Sequence, residues 1–252
     1  MGNGHLLNEI GQSMAMTAGT SAAELHHAHR DVNGGWLRPA AFGVMDGLVS
    51  NFALVAGVVG GGATGSSVVL TGLAGLVAGA CSMATGEYTS VSSQNELTQS
   101  EISKERRELE RHPEDELREL AMIYEAKGVR PTLAAEVARE LSADPEVAWR
   151  VHVREELGVD PDDLPSPWTA AGSSFLAFAI GALIPLLPFL FGATAILPAL
   201  LASAAGLLLA GGLIARLTAR PAWFGGGRQL ILGSLSAAVT FGVGLIVGTG
   251  VA

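Results

Sequence analysis

The sequence predicts an all-α, polytopic membrane protein with five transmembrane helices and a helical domain inserted between helices 2 and 3. Hydrophobic residues make up 49% of the chain and charged residues only 15%, whereas soluble proteins carry about 25% charged residues. Most of the charges lie between Glu96 and Asp163, and they almost disappear elsewhere. Apolar blocks interrupted by one charged block are typical of membrane spans joined to a soluble insert.

Five segments are apolar enough to cross a bilayer, which requires about 20 residues of helix. They cover residues 39–63, 68–88, 168–191, 194–217 and 229–251. The first contains Asp46, the second ends near Glu87, and the third has Pro185 and Pro188 near its far end. Proline is tolerated in such spans because neighbouring helices satisfy the backbone groups that it frees.

The placement of the 15 Lys and Arg residues predicts the orientation of these spans. Two precede the first span, ten lie between the second and third, and three lie between the fourth and fifth. With five spans, all three basic regions fall on one side of the membrane, which the positive-inside rule makes cytoplasmic. We therefore expect the N-terminus and the insert in the cytoplasm and the C-terminus outside. Four or six spans would break this alternation.

We divide the chain into a cytosolic tail (1–35) that we expect to be disordered, helices 1 and 2 (36–90), the acidic insert (91–166), and helices 3–5 (167–252). The insert holds 19 Asp and Glu against ten Lys and Arg, so its net charge of −9 equals that of the whole chain. Proline favours helix starts and glycine favours helix ends. These signals predict that the second-span helix continues to about Arg111, and that helices follow at residues 113–127, 131–141 and 145–157.

Acidic side chains recur at helical spacing in the insert. Glu101, Glu105 and Glu108 stand at i, i+4 and i+7, which places them on one helix face. Like charges at this spacing destabilise a helix, and a bound cation would offset their repulsion. Carboxylates with one imidazole suit hard or borderline divalent cations. The predicted ligands of this cytosolic helical metal-binding domain are Glu101, Glu105, Glu108, Glu116, Glu119, His152 and Glu156. The alternative is a solvated face whose interleaved basic residues neutralise the row.

Polar groups inside the first two spans predict an ion pathway. A carboxylate within a span is costly unless it is paired or protonated, so Asp46 is a candidate functional group. Ser50 lies one turn further on, with Asn51 beside it, and Met83 and Glu87 stand at i, i+4 on the second span. A thioether and two carboxylates along a helix interface can pass a divalent cation from one group to the next. The alternatives are ordinary packing for Met83 and solvation at the interface for Glu87.

Other function classes lack their sequence signals. The one cysteine, Cys81, excludes a disulfide framework and a cysteine zinc site. We find no Gly-x-x-x-x-Gly-Lys loop for ATP, and no nucleophile–base pair that would favour an enzyme. The basic residues are outnumbered in their own domain, so we expect no nucleic-acid binding.

Several motifs together resemble the vacuolar iron transporter family in its bacterial form. They are residues 35–38 (GWLR), 46–50 (DGLVS), 82–88 (SMATGEY) with 92–94 (SSQ), and 181–188 (GALIPLLP). The resemblance covers nearly everything from Gly35 to the C-terminus. It implies a homodimer of five-span subunits in a prokaryotic inner membrane. Family members move Fe²⁺, and often Mn²⁺, out of the cytosol in exchange for protons, along a pathway between subunits.

The resemblance also assigns roles to individual positions. Asp46 and Met83 match the family's membrane site, and its cytosolic carboxylates match Glu105, Glu108, Glu116, Glu119 and Glu156. The chain departs from plant members at three places. Gly75 stands where they have a glutamate, His152-Val153 stands where they have a methionine pair, and Glu87 stands where they have a small residue.

These observations predict an exporter of Fe²⁺ and/or Mn²⁺ that works by proton antiport, has no catalytic activity and uses no cofactor besides the ion it moves. The expected partners are divalent metal ions, protons, membrane lipid and a second copy of the chain. The alternative is a non-transporting, membrane-anchored acidic helical domain that binds metal or a protein partner. Asp46 argues against that alternative, because an anchor gains nothing from an acid within its span.

Overall fold

The computed structural model describes residues 35–251, so the predicted tail lies outside the described residues except for Gly35. Every regular element within this range is helical. We label the helices α1 (Leu37–Gly60), α2 (Ser66–Arg111), α3 (Pro113–Ala126), α4 (Pro131–Leu141), α5 (Pro145–His152), α6 (Pro167–Leu183), α7 (Leu187–Leu190), α8 (Leu197–Leu217) and α9 (Ala222–Val251). A π-helical turn, Val153–Leu157, extends α5, and a 3₁₀ turn, Ile184–Leu186, joins α6 to α7.

The five predicted spans are present as five long apolar helices. They are α1, the first part of α2, the α6–α7 segment, α8 and α9, and each is long and apolar enough to cross a membrane. Half of the most apolar window of α1 is buried, against 17% for α2 and 11% for α9. Helix α1 therefore lies at the centre of the bundle, while α2 and α9 lie at its edge.

Close helix contacts surround α1. Leu48, Phe52 and Ala56 form a buried cluster with Leu207 of α8 and Ala237 of α9. On another face of α1, a Cβ atom at Gly47 would collide with the Phe178 carbonyl of α6. Small residues let membrane helices approach closely, because association in lipid depends on packing rather than on the hydrophobic effect.

Helix α9 begins earlier than the sequence predicts. We expected the fifth span to start at Gln229, but the helix starts at Ala222 and includes a run of three glycines. Cβ atoms at Gly225 and Gly226 would collide with the backbone of α8 at Gly211 and Leu208. The prediction was wrong because glycine disfavours an isolated helix, whereas here its small size permits the contact with α8.

Helix α2 joins the bundle to the insert without a break. Its 46 residues correspond to roughly 69 Å of helix. Its end at Arg111 confirms the predicted continuation, and the starts of α3, α4 and α5 at prolines confirm the other helix signals. Gly158, with φ of 66°, ends the π-helical turn in the left-handed conformation, which favours glycine.

Two contacts hold the end of the insert against α2 where the chain returns to the third span. Asn95 Nδ2 donates a hydrogen bond of 2.9 Å to the Pro165 carbonyl. The rings of Tyr88 and Trp168 pack with centroids 4.8 Å apart. Aromatic residues of this kind are enriched at membrane interfaces, so this pair marks where α2 leaves the apolar region.

Candidate functional site

Four side chains of the insert converge on one point. Glu105, Glu116, His152 and Glu156 each direct a ligand atom to it, and these atoms lie within 4.8 Å of one another. His152 Nδ1 is 3.0 Å from a Glu156 oxygen, 3.2 Å from Glu105 and 3.6 Å from Glu116. The imidazole is fully buried, and the three carboxylates are at most 20% exposed. We call these four residues the insert cluster.

Four separate elements supply the insert cluster. Glu105 comes from α2, Glu116 from the first turn of α3, His152 from the end of α5 and Glu156 from the π-helical turn. Because His152 and Glu156 stand at i, i+4, they lie on one face. The cluster is therefore a product of tertiary packing, and its position depends on how α3 and α5 dock on α2.

Two further contacts fix that docking. The centroid of the Trp149 ring of α5 lies 3.9 Å from the guanidinium carbon of Arg106 in α2 and 4.8 Å from that of Arg150. Glu155 of the π-helical turn accepts a hydrogen bond of 3.2 Å from the Tyr124 hydroxyl of α3 and pairs with Lys127. Sequence reasoning missed these supporting residues, because nothing in their spacing distinguishes them from other surface groups.

The proximity of these groups changes their pKa values. Burial raises the pKa of Glu116 to about 7, and the charges of Glu105, Glu119 and Glu156 add to this, while His152 opposes it. Burial disfavours the charged form of His152, but hydrogen bonds to Glu105 and Glu156 outweigh it and raise its pKa to about 9. Without a metal, His152 Nδ1 therefore carries a proton at neutral pH, since its lone pair would otherwise face carboxylate oxygens. A cation that binds there has to displace this proton.

The other three predicted ligands do not join the cluster. Glu101 lies 3.9 Å from Lys104 and is 45% exposed. Glu108 lies 3.9 Å from His112 and is 39% exposed. Glu119 is exposed at the surface of α3, although its charge acts on Glu116. Helical periodicity grouped these residues with members of the cluster, but it did not show which positions meet the neighbouring helices.

A second group of polar side chains lies between the apolar helices. A cavity of about 370 Å³ is lined by Asp46, Ser50, Asn51, Leu54, Gly75, Gly79, Ser82, Met83 and Phe178. We call it the membrane cavity. The structure brings four of the five predicted pathway residues to it, and Glu87 lies one turn of α2 beyond Met83. Ser82 and Phe178 were not predicted, and a phenylalanine in a distant span carries no sequence signal for this position.

A larger cavity between α1 and α9 differs from the membrane cavity in its lining. Its volume is about 770 Å³. Among the described residues, those that line it are aliphatic or glycine, apart from Thr240. The Thr240 hydroxyl is already bonded to the Ala53 carbonyl at 2.6 Å. This cavity offers no charged ligand for a cation, so the polar membrane cavity is the better candidate despite its smaller size.

Comparison with known proteins decides the family. A model described as the VIT family matches residues 37–245. The chain belongs to the VIT family. This match confirms the resemblance found in the sequence, and together with the five apolar helices it makes the chain a multi-pass membrane protein.

Relatives of this VIT family member come from several eukaryotes. The chain is 37% identical to the "Vacuolar iron transporter" of Acanthamoeba castellanii over 84% of its own length and 78% of that protein. It is 31% identical to "Vacuolar iron transporter 1" of Oryza sativa, over 95% of its own length and 97% of the relative. A third relative, "Vacuolar iron transporter 1" of Arabidopsis thaliana, is 33% identical over 66% of each chain. All three are named as transporters rather than as enzymes.

Proposed function

We propose that this VIT family protein exports a divalent transition metal, Fe²⁺ and/or Mn²⁺, from the cytosol in exchange for protons. The observation that carries the proposal is the insert cluster, where three carboxylates surround one buried imidazole. One protonated imidazole does not balance three carboxylates, and an excess of buried charge is costly unless something neutralises it. A divalent cation offsets that cost, and the donor set of oxygens and one nitrogen suits Fe²⁺ and Mn²⁺. The relatives named as iron transporters support the same class of ion.

The route starts at the insert cluster and ends in the membrane cavity. Helix α2 carries groups of both sites, with Met83 and Glu105 on one continuous helix. They stand 22 positions apart, which corresponds to roughly 33 Å along the helix axis. In the proposed sequence, the cation leaves the cluster, reaches Glu87 at the cytosolic mouth, passes Met83 and arrives at Asp46.

Exchange follows from competition at the carboxylates. A carboxylate with no cation beside it in an apolar environment prefers its neutral, protonated form. A bound cation prefers the ionised form. Metal and proton therefore exclude each other at Asp46, so a proton that enters from the far side promotes release of the metal.

The membrane cavity supports assembly of two copies of the chain. Ser50 and Ser82 line the cavity yet are exposed on the bundle surface, and Asp46 is only partly buried. Polar groups within a span rarely face lipid, because hydrocarbon cannot satisfy them. We propose that a second subunit covers this face in a homodimer and that the pathway runs between the two subunits.

The positions of the basic residues indicate which parts of the chain face the cytoplasm. The positive-inside rule assigns the N-terminus and the insert to the cytoplasm, and the resemblance to bacterial members favours a prokaryotic inner membrane. With this orientation the insert cluster collects cytosolic metal, and the opposite ends of the spans face the outside.

Flux through proteoliposomes tests the proposal. The purified full chain is reconstituted with an acidic lumen, and Mn²⁺ entry is followed by quenching of a trapped fluorescent chelator. We expect flux by the unsubstituted protein, background flux in Asp46→Asn, and full flux in Glu96→Gln, which removes an exposed carboxylate of α2 outside both sites. Flux retained by Asp46→Asn contradicts the assignment. A chain that binds Mn²⁺ but moves none supports the membrane-anchored alternative.

A further inference from the structure

In the side-chain amide of Asn51 in α1, the nitrogen takes part in a hydrogen bond but the oxygen does not. Its Nδ2 donates a hydrogen bond of 2.6 Å to the Ala182 carbonyl of α6. Its Oδ1 is buried and has no hydrogen-bond partner among the described residues. The residue as a whole is 2% exposed. An unpaired acceptor inside a protein is unfavourable and requires an explanation.

The orientation of the amide is set by the fold and cannot simply be reversed. Ala182 lies beside the 3₁₀ turn that contains Pro185, and its carbonyl can only accept a hydrogen bond. Rotation of the amide would place Oδ1 against that carbonyl oxygen. The hydrogen bond to Ala182 therefore occupies the NH₂ group of Asn51 and leaves its Oδ1 without a partner.

The free oxygen lies beside Gly75, and both Asn51 and Gly75 line the membrane cavity. Asn51 lines this cavity together with Asp46 and Met83. A Cβ atom at Gly75 of α2 would lie 3.2 Å from Oδ1 and would collide with the end of the Leu54 side chain. Because Gly75 has no side chain, the position beside Oδ1 that a methyl group would occupy is empty, and the flexible end of Leu54 borders the same space.

We propose that Asn51 Oδ1 is a ligand of the transported cation and biases the membrane cavity toward hard divalent ions. The proposal rests on the function proposed above and deepens it. An amide oxygen is a hard, neutral donor, whereas the Met83 thioether is a soft one. The two donors therefore act in opposite directions on the choice between Mn²⁺ and a soft ion of the same charge, such as Cd²⁺.

The ratio of Mn²⁺ flux to Cd²⁺ flux in proteoliposomes tests this role. Asn51→Leu removes the oxygen, and we expect the ratio to fall on the order of tenfold. Met83→Leu removes the soft donor and raises the ratio. A purely structural role of Asn51 would lower both fluxes by the same factor, because a ratio does not depend on the amount of folded protein.

A second pair of variants leaves Asn51 in place. Gly75→Ala puts a methyl group beside Oδ1, and we expect it to lower the Mn²⁺ to Cd²⁺ ratio. Gly86→Ala on the same helix meets no atom within 4 Å and serves as the matched control. An unchanged ratio in both Asn51→Leu and Gly75→Ala overturns the proposal.

Failure of the proposed function gives a different result. In that case the unsubstituted protein moves neither ion. Ligation by Asn51 is then measured by electron paramagnetic resonance of Mn²⁺ bound to the full chain with the insert cluster weakened by Glu105→Gln. Loss of the remaining Mn²⁺ signal on adding Asn51→Leu supports ligation by Asn51, and an unchanged signal overturns it.

Discussion

The insert cluster and the membrane cavity differ in how completely one chain builds them. In the insert, four elements of the same chain enclose three carboxylates and an imidazole. In the membrane, one carboxylate, one thioether and an amide line a cavity that is open on the side of Ser50 and Ser82. The insert cluster is thus enclosed by a single chain, whereas the membrane cavity is open on one side.

This difference matches the two tasks that transport requires. A capture site benefits from high charge and enclosure, because both strengthen cation binding. A transit site has to bind weakly enough to release the ion. A single carboxylate neutralises only half of the charge of a divalent cation. Two Asp46 side chains from facing subunits would neutralise it, which agrees with the proposed homodimer.

The largest expected effect tests whether the insert cluster is a distinct binding site. One carboxylate of α2 inside the cluster and one outside it are removed in separate variants. We expect Glu105→Gln to weaken Mn²⁺ binding by about 100-fold, because a buried ligand is lost. Glu108→Gln, one turn away and paired with His112 at 3.9 Å, should change the affinity by less than about threefold, as expected for an exposed pair. Isothermal titration calorimetry on the full chain measures both. Equal losses in the two variants would show that the cluster extends along the whole row.

The second prediction concerns the pH dependence of metal binding by the insert cluster. The pKa of His152 is raised to about 9 and that of Glu116 to about 7. Between pH 7 and pH 9, metal binding therefore displaces one proton, from His152. Below pH 7 it displaces a second proton, from Glu116. The Mn²⁺ affinity should rise by about tenfold per pH unit from pH 7 to 9, and more steeply below 7. Titrations in buffers of different ionisation enthalpy count the released protons. A pH-independent affinity would contradict these protonation states.

The smallest expected effect is on the stability of the metal-free insert. Both raised pKa values mean that the folded state binds more protons than the unfolded state. The Glu116 contribution is present below pH 4.5 and is lost as the pH rises through about 7, and the His152 contribution is present below pH 6.5 and is lost through about 9. The free energy of unfolding should therefore fall with rising pH, by on the order of a few kcal/mol.

Circular dichroism of the full chain in detergent with a chelator checks this third prediction. The melting temperature of the insert helices should decrease from pH 5 to pH 9, and saturating Mn²⁺ should restore it at pH 8 by binding only the folded state. The exposed pair Arg118–Asp115 gives the control, because Arg118→Ala should leave the slope with pH unchanged. A slope of the opposite sign would show that the folded state binds fewer protons than the unfolded state, so that the pKa values of these groups are lowered rather than raised by folding.

Much of the architecture could be predicted because it depends on local sequence. Long apolar runs specify membrane spans, since the bilayer admits only helices of sufficient length. Proline specified the starts of α3, α4 and α5, and glycine follows the end of α3 and ends the π-helical turn after α5, because the effects of both residues on the backbone are local. The start of α9 was mispredicted for the corresponding reason: its glycines are explained by contact with α8, which no local signal reports.

The sequence by itself determined the five spans, the helices of the insert and the faces on which the acidic residues lie, because periodicity and backbone preferences are properties of one segment. Only the tertiary structure decided that Glu105 joins the cluster while Glu108 does not, because the docking of α3 and α5 on α2 selects one turn of a continuous face. The free oxygen of Asn51 has the same origin. Its partner Ala182 lies 131 residues away in the chain, and a contact of that range is made by packing alone.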